Sequence, residues 1–228
     1  SIVTMGSLPL GIFLSDPTIV KERNKYSLVF VSSYRDSFEE KLSHGLHNRG
    51  VSEAHKLVFL HLLRYAEEKG IELCVIAKGK VRLEGEHFDR EKNYFENLAQ
   101  GRQFQFSSTV KDTYKSYQIA YGSKLLVTVD STLGYEALSI GKKVLFGWGV
   151  NSVLGTHGES MVENLPHQIY LENDKYEEVR EKLDWLKNSS ENEYLELIKG
   201  CRFFYVDQDV EYPPHERIKD EIRNYVAK

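Results

Sequence analysis

Asp130, Ser131 and Thr132 stand in a row, Gly134 follows, and Glu136 comes next in the run VTVDSTLGYEALSIGKKVLFGWG. Small hydroxyls and free backbone N–H groups hold a phosphate, and a carboxylate accepts hydrogen bonds from sugar hydroxyls. Other stretches share this character. Ser32, Ser33, Tyr34 and Arg35 offer hydroxyls and a guanidinium, and Lys78-Gly79-Lys80 offers two ammonium groups. Ser107, Ser108 and Thr109 add hydroxyls, and His157 sits between Gly155 and Gly158 in a long polar loop. His44 and His47 hint at a metal. No third ligand stands near them, so the expectation is no metal and no cofactor.

The elements that must position these residues can be read from pattern. Leu125 to Val129 is a continuous, β-rich apolar run, as expected of a strand buried on both faces. Asp130, Ser131 or Thr132 can cap the helix that follows. Leu133, Ala137 and Ile140 recur at helical spacing, Gly141 stops the helix, and Lys143 to Phe146 forms a second strand. The expected unit is β–α–β, with parallel strands joined right-handed. Its positive helix end meets the strand's carboxyl end at Ser131 and Thr132, and Gly134 there would let a ligand approach the backbone. Many α/β proteins carry a capped helix after a strand with no ligand, so spacing alone leaves both readings open.

The rest of the chain alternates in the same way. Residues 1–25 read as a strand-like piece and a linker, because Gly6, Pro9, Gly11 and Pro17 interrupt short apolar pieces. Tyr26 to Val31 is a strand. Ser52 is read as the cap of a helix from Glu53 to about Lys69, with Ala54, Leu57, Val58, Leu62 and Tyr65 inward, ended by Gly70. Ile71 to Ala77 is a strand, His87 to Leu98 a charged helix, and Phe104 and Phe106 mark a short strand. Tyr114, Tyr117 and Tyr121 recur at helical spacing and read as core packing. Gln168 to Leu171 reads as a last short strand, followed by helices over Tyr176–Leu186 and Glu191–Lys199. A final helix, His215 to Val226, should bury Ile218, Ile222 and Val226.

This alternation predicts an α/β fold, a Rossmann-like, doubly wound and mostly parallel sheet of about six strands. The domain reading is 1–25 as an amino-terminal segment, 26–206 as the Rossmann-like domain, and 207–228 as a linker and helix. Ligands of such sheets sit at strand carboxyl ends, where every polar cluster named above falls.

Composition narrows the function classes. The 228 residues carry a net charge of −4, so nothing marks the whole chain as a nucleic-acid binder. Two isolated cysteines, Cys74 and Cys201, give neither a zinc site nor a disulfide framework and fit a reducing cytoplasm. No apolar run approaches the ~20 residues of a membrane span. The expected location is therefore cytoplasmic, with a peripheral place at the inner face of the membrane also open.

The run VTVDSTLGYEALSIGKKVLFGWG, with QFSSTVKDTYKSYQIAYGSKLL before it, resembles the nucleotide-binding half of GT-B glycosyltransferases. It is most similar to bacterial surface-carbohydrate and capsule biosynthesis proteins. The resemblance spans roughly residues 26–226 and is specific over about 104–149. It implies that Ser131, Thr132 and Gly134 hold the phosphates of a nucleotide-activated sugar and Glu136 its hydroxyls. The position of strand ends adds Ser33, Arg35, Lys78, Ser108 and His157 as further substrate-binding candidates. The implied activity is glycosyl transfer to a surface polysaccharide or lipid-linked acceptor. A nucleotide-sugar 2-epimerase, a polyol-phosphate transferase of the same shape, or a non-catalytic partner domain are the alternatives. Lys78-Gly79-Lys80 stands where many such proteins carry His-Pro. Residues 1–25 are too short for an amino-terminal Rossmann-like domain. The expectation is thus the carboxyl half of a larger enzyme or a reduced relative, completed by such a domain or by a second copy.

Overall fold

Strand β1 (Tyr26–Val31) is the middle of the sheet, and its residues Leu28 to Val31 are buried. In the computed structural model the described residues are 6–19, 21–34, 46–78, 86–107, 114–147, 162–203, 206 and 212–226, the side chains of 46–50 and 86–87 excepted. β1 pairs in parallel with β2 (Leu73–Ile76) on one side and with β4 (Ser123–Thr128) on the other. β3 (Gln105–Ser107) lies outside β2, and β5 (Val144–Phe146) outside β4. The order is β3-β2-β1-β4-β5. Chain order reverses between β1 and β4, which is the topological switch point where such sheets take ligands. The expectation of about six strands needs a small correction. Among the described residues there are five, and the segment read as the last strand is a 3-10 turn, His167–Ile169. One bridge follows it, from Tyr170 to Phe146.

Helices cover the sheet because their apolar stripes need a partner. Helix α2 (Leu46–Lys69) turns Val51, Ala54, Val58, Leu62 and Tyr65 inward and ends at Gly70, whose φ of 59° is costly for a residue with a side chain. It begins ahead of Ser52, so Ser52 is interior and not its cap. Helices α3 (Glu86–Ala99), α4 (Lys115–Tyr121), α5 (Thr132–Ser139), α6 (Tyr176–Asn188) and α7 (Glu191–Ile198) follow. Ser190 and Glu193 form a reciprocal capping box at α7. The Tyr194 hydroxyl donates to Lys142 O at 2.7 Å and accepts from Val144 N–H at 3.1 Å, which fixes the entry to β5.

The two ends depart from expectation. Leu8–Ser15 is helix α1, not a strand-like piece. Ser7 caps it by accepting from Leu10 N–H at 3.3 Å, and Pro9 falls in the first turn, where proline is tolerated. Phe13 is fully buried, stacked on Tyr117 at 5.6 Å and edge-on to Tyr121 at 5.9 Å. The tyrosines read as core thus close over α1. Helix α8 (Pro214–Val226) forms as expected, but Ile222 and Val226 are 59% and 78% exposed, so its apolar stripe is not buried within this chain.

Candidate functional site

The carboxyl ends of β1, β2 and β4 come together at the switch point. Val31 pairs with Ile76 on one side and with Thr128 on the other. That register puts Ser33 and Lys78 two residues past paired positions. Ser131 lies just beyond the neighbouring strand. Four of the expected residues, Ser33, Lys78, Ser131 and Thr132, therefore share one end of the sheet. Arg35, Ser108 and His157 lie outside the described residues, as do Lys80 and the side chains of His44 and His47.

Ser33 is almost fully buried, and its Oγ has no hydrogen-bond partner among the described residues. A buried hydroxyl without a partner costs about 1–3 kcal/mol, so its retention asks for an explanation. Its backbone N–H is satisfied by His55 Nε2 at 3.0 Å. That bond requires Nε2 to be unprotonated, so the ring is neutral with its proton on Nδ1. Burial, and secondarily the nearby Lys78 charge, lower the His55 pKa to about 3. The ring lies 4.9 Å from Phe30 and 5.4 Å from Phe95. The loop after β2 is held in a similar way. Glu91, nearly fully buried, accepts the Lys78 N–H at 3.0 and 3.2 Å on its two oxygens.

His55 and Glu91 were not singled out from sequence. His55 occupies an inward position of α2 one turn beyond Val51, and a polar residue on an apolar stripe was the available signal. Glu91 carries no such signal in a helix rich in charge.

Across the switch point, Ser131 is the cap of α5. Its Oγ accepts from Leu133 N–H at 3.3 Å, and its own N–H donates to Thr128 Oγ1 at 3.2 Å. Thr132 is exposed at the first helical position. Gly134 differs from the expected ligand approach. A Cβ there would collide with Thr128 Cγ2 and lie 3.0 Å from Phe146 Cε1, so its bareness serves the contact of α5 with β4 and β5.

Glu136 also points elsewhere. Its Oε1 accepts from the Ser7 hydroxyl and, at 3.1 Å, from Tyr117 OH. The carboxylate is thus part of the seam that holds α1 against α4 and α5. Burial pushes the Glu136 carboxyl above the usual range, and the two donated bonds oppose this without cancelling it. The raised value fixes the sign of a pH effect. The group's contribution to stability is complete below the ordinary value of 4.5 and is lost as pH rises through the raised one. Glu136→Gln keeps an acceptor for both hydroxyls and removes the charge. Urea melts should show it no less stable than wild type at neutral pH, with a flatter stability profile between acid and neutral pH. A variant that is less stable at neutral pH, with an unchanged profile, would refute this account.

Among the described residues, no cluster of His, Cys, Asp and Glu could hold a metal ion, and no helix is long and apolar enough to cross a membrane.

The fold and site define a Rossmann-like α/β protein whose polar strand ends converge at one switch point. Residues 2–215 match the family model described as "putative O-antigen biosynthesis protein", and the chain belongs to that family. No curated protein matches it. Among solved structures it is similar to the wall teichoic acid polymerase TagF, with 14% sequence identity and a TM-score of 0.47 over 93% of this chain and 47% of that one. The chain thus spans about half the length of that polymerase.

Proposed function

We propose that the chain binds a nucleotide-activated sugar at the carboxyl ends of β1, β2 and β4. In this reading it acts as a glycosyltransferase, or as the donor-binding half of a GT-B type enzyme, in assembling a surface polysaccharide on a polysaccharide or lipid-linked acceptor. Membership of an O-antigen biosynthesis family supports the pathway. The observation that carries the site is the buried Ser33 hydroxyl, without a partner among the described residues at the end of the central strand. Lys78, at the end of the neighbouring strand β2, offers a positive charge, and the first turn of α5, with Ser131 and Thr132, offers N–H groups, hydroxyls and the helix dipole to a diphosphate. The nucleotide is the substrate, and no metal or other cofactor enters this reading.

The test separates binding from folding. Ser33→Ala removes an unsatisfied buried group, so the free protein should melt no lower than wild type while nucleotide binding weakens about tenfold. Ser131→Ala with Thr132→Ala should weaken binding about five- to a hundredfold, with about 1 kcal/mol of stability lost from the missing cap. A thermal-shift screen of CMP, UDP, GDP, CDP and their sugars reads both effects, because a ligand that binds only the folded state raises its melting temperature. Absence of any stabilising nucleotide, or affinity unchanged in both variants, overturns the proposal. Conversion of a nucleotide sugar without an acceptor would replace transfer with epimerisation or hydrolysis.

A further inference from the structure

At the opposite end of the sheet from that site, the amino ends of β1, β2 and β4 and the turn into β5 enclose a cleft of about 580 Å3. This is the size of a small-ligand pocket. Among the described residues its charged lining is Arg23, Lys124, Lys142, Lys143 and Lys187, with Glu191 as the one carboxylate. The formal surplus is four positive charges in a protein whose net charge is −4.

A plain explanation would be that lysines gather where helices end. The carboxyl ends of α4, α5 and α6 border the cleft, and so does the amino end of α7. At about half a charge each, these ends sum to roughly one negative charge and leave most of the surplus uncompensated. Lys143 fits the plain explanation, since its Nζ donates to Leu186 O at 2.7 Å and Ser189 O at 2.5 Å. Lys142 does not fit it. It is largely enclosed, its ammonium makes no ion pair among the described residues and lies 5.8 Å from the Tyr121 ring centre, and its charged neighbours are Arg23 and, as the weaker influence, Glu191. Burial first, and Arg23 second, lower its pKa to about 8. Arg23 is oriented by its Nε, which donates to Tyr121 OH at 3.0 Å. The cleft therefore holds five cations close together against the single carboxylate of Glu191. Its walls also include Asn24, Tyr121 and the apolar side chains of Ile71, Leu125 and Ile140, which could take the organic part of a ligand.

We infer that this cleft is a second binding site, for the phosphate groups of a phosphorylated ligand, built on Arg23, Lys124, Lys142 and Lys187 and separate from the nucleotide-sugar site at the other end of the sheet. A di-anionic or more highly charged group, such as a diphosphate, matches the charge surplus. The phosphate can belong to a compound in solution or to a lipid headgroup.

Inorganic pyrophosphate is titrated into the full chain and followed by 1H–15N NMR, which resolves the two ends of the sheet. The amides of Gly141, Lys142 and Lys124 should shift to saturation, and Leu133 and Gly134 report any separate binding at the strand carboxyl ends. Lys142→Gln should weaken the first response about tenfold, while Lys142→Arg keeps it. Lys187→Gln, at an exposed position, is the second variant if Lys142→Gln disturbs the rest of the spectrum. A parallel arm sediments the protein with vesicles of phosphatidylcholine, with and without phosphatidylglycerol. Lys142-dependent sedimentation on the anionic vesicles alone assigns the phosphate to a membrane lipid. Pyrophosphate binding without sedimentation assigns it to a ligand in solution. The inference is overturned if neither arm gives a response that depends on Lys142 or Lys187, whatever happens at Leu133 and Gly134.

Discussion

Gly134→Ala should destabilise the protein by about 1–2 kcal/mol, although alanine is the better helix former. Replacing glycine by alanine in a helix ordinarily stabilises by up to ~1 kcal/mol. If Gly134 faced open space for a ligand, that gain would be seen. Here the new methyl would drive into Thr128 Cγ2 and press the Phe146 ring at 3.0 Å. Thr128 and Phe146 are both fully buried in adjacent strands, so neither can move aside cheaply. Overpacking of this kind costs typically 1–3 kcal/mol and outweighs the propensity gain. A second substitution makes the cause visible. Thr128→Ser removes the colliding Cγ2 and keeps the hydroxyl that accepts the Ser131 N–H. The double variant should recover about 1–2 kcal/mol relative to the sum of the singles, the sign of direct contact. Urea denaturation of the four proteins gives the result. A stabilised Gly134→Ala would return this glycine to the role of admitting a ligand.

Phe13→Ala should cost about 3–5 kcal/mol, the usual range for a buried phenylalanine. Phe13 is fully buried against Tyr114, Tyr117 and Tyr121, with the Lys21 ammonium 5.6 Å from its ring centre. Helix α1 is eight residues long, too short to persist without docking. Loss of the ring should therefore release the helix as a unit. Hydrogen exchange at Gly11 and Asp16, whose N–H groups donate to Ser7 O and Ile12 O at 2.9 Å, should approach unfolded rates while β1 and β4 stay protected. Glu136 would lose its bond from Ser7 at the same time, so its titration should change in this variant. Unaltered exchange at Gly11 and Asp16 would mean that α1 is held by something other than this ring.

Where a residue's neighbours in sequence decide its state, the chain could be read directly. The apolar runs at Tyr26–Val31 and Leu125–Val129 form central strands because both faces of a parallel sheet are covered, and Gly70 and Gly141 end helices at positive φ. Ser33, Lys78, Ser131 and Thr132 could be placed together because strand ends in this fold converge. Tertiary contacts were not legible. Pro9 and Gly11 look like breakers until Ser7 caps the helix and the tyrosine cluster supplies its docking surface. Val51 extends the inner-face spacing of α2 ahead of Ser52, but the Gly50 beside it and the hydroxyl of Ser52 look like a helix start. Glu136 offers an equally good carboxylate to a ligand or to Ser7 and Tyr117, and only packing decides between them. The exposed Ile222 and Val226 show that an apolar stripe in sequence does not specify what covers it.

The strand order also has a consequence for how the chain comes together during synthesis. Of the strands β1 emerges first, yet one of its two edges must wait for β4, and among the described residues three helices and two strands lie between them. Until Leu125 to Thr128 leave the ribosome, the Leu28–Val31 edge next to the future β4 has backbone groups without partners and apolar side chains without cover. Such long-range parallel pairing is slow, and the exposed edge is a template for other chains. Truncations ending before Ser123 should therefore aggregate or bind chaperones, while those that extend through α7 should become protease-resistant. On this topology the segment bearing Ser131 and Thr132 follows directly on the strand that completes the centre of the sheet, so the switch-point site and a fully paired central strand arise in the same step of assembly.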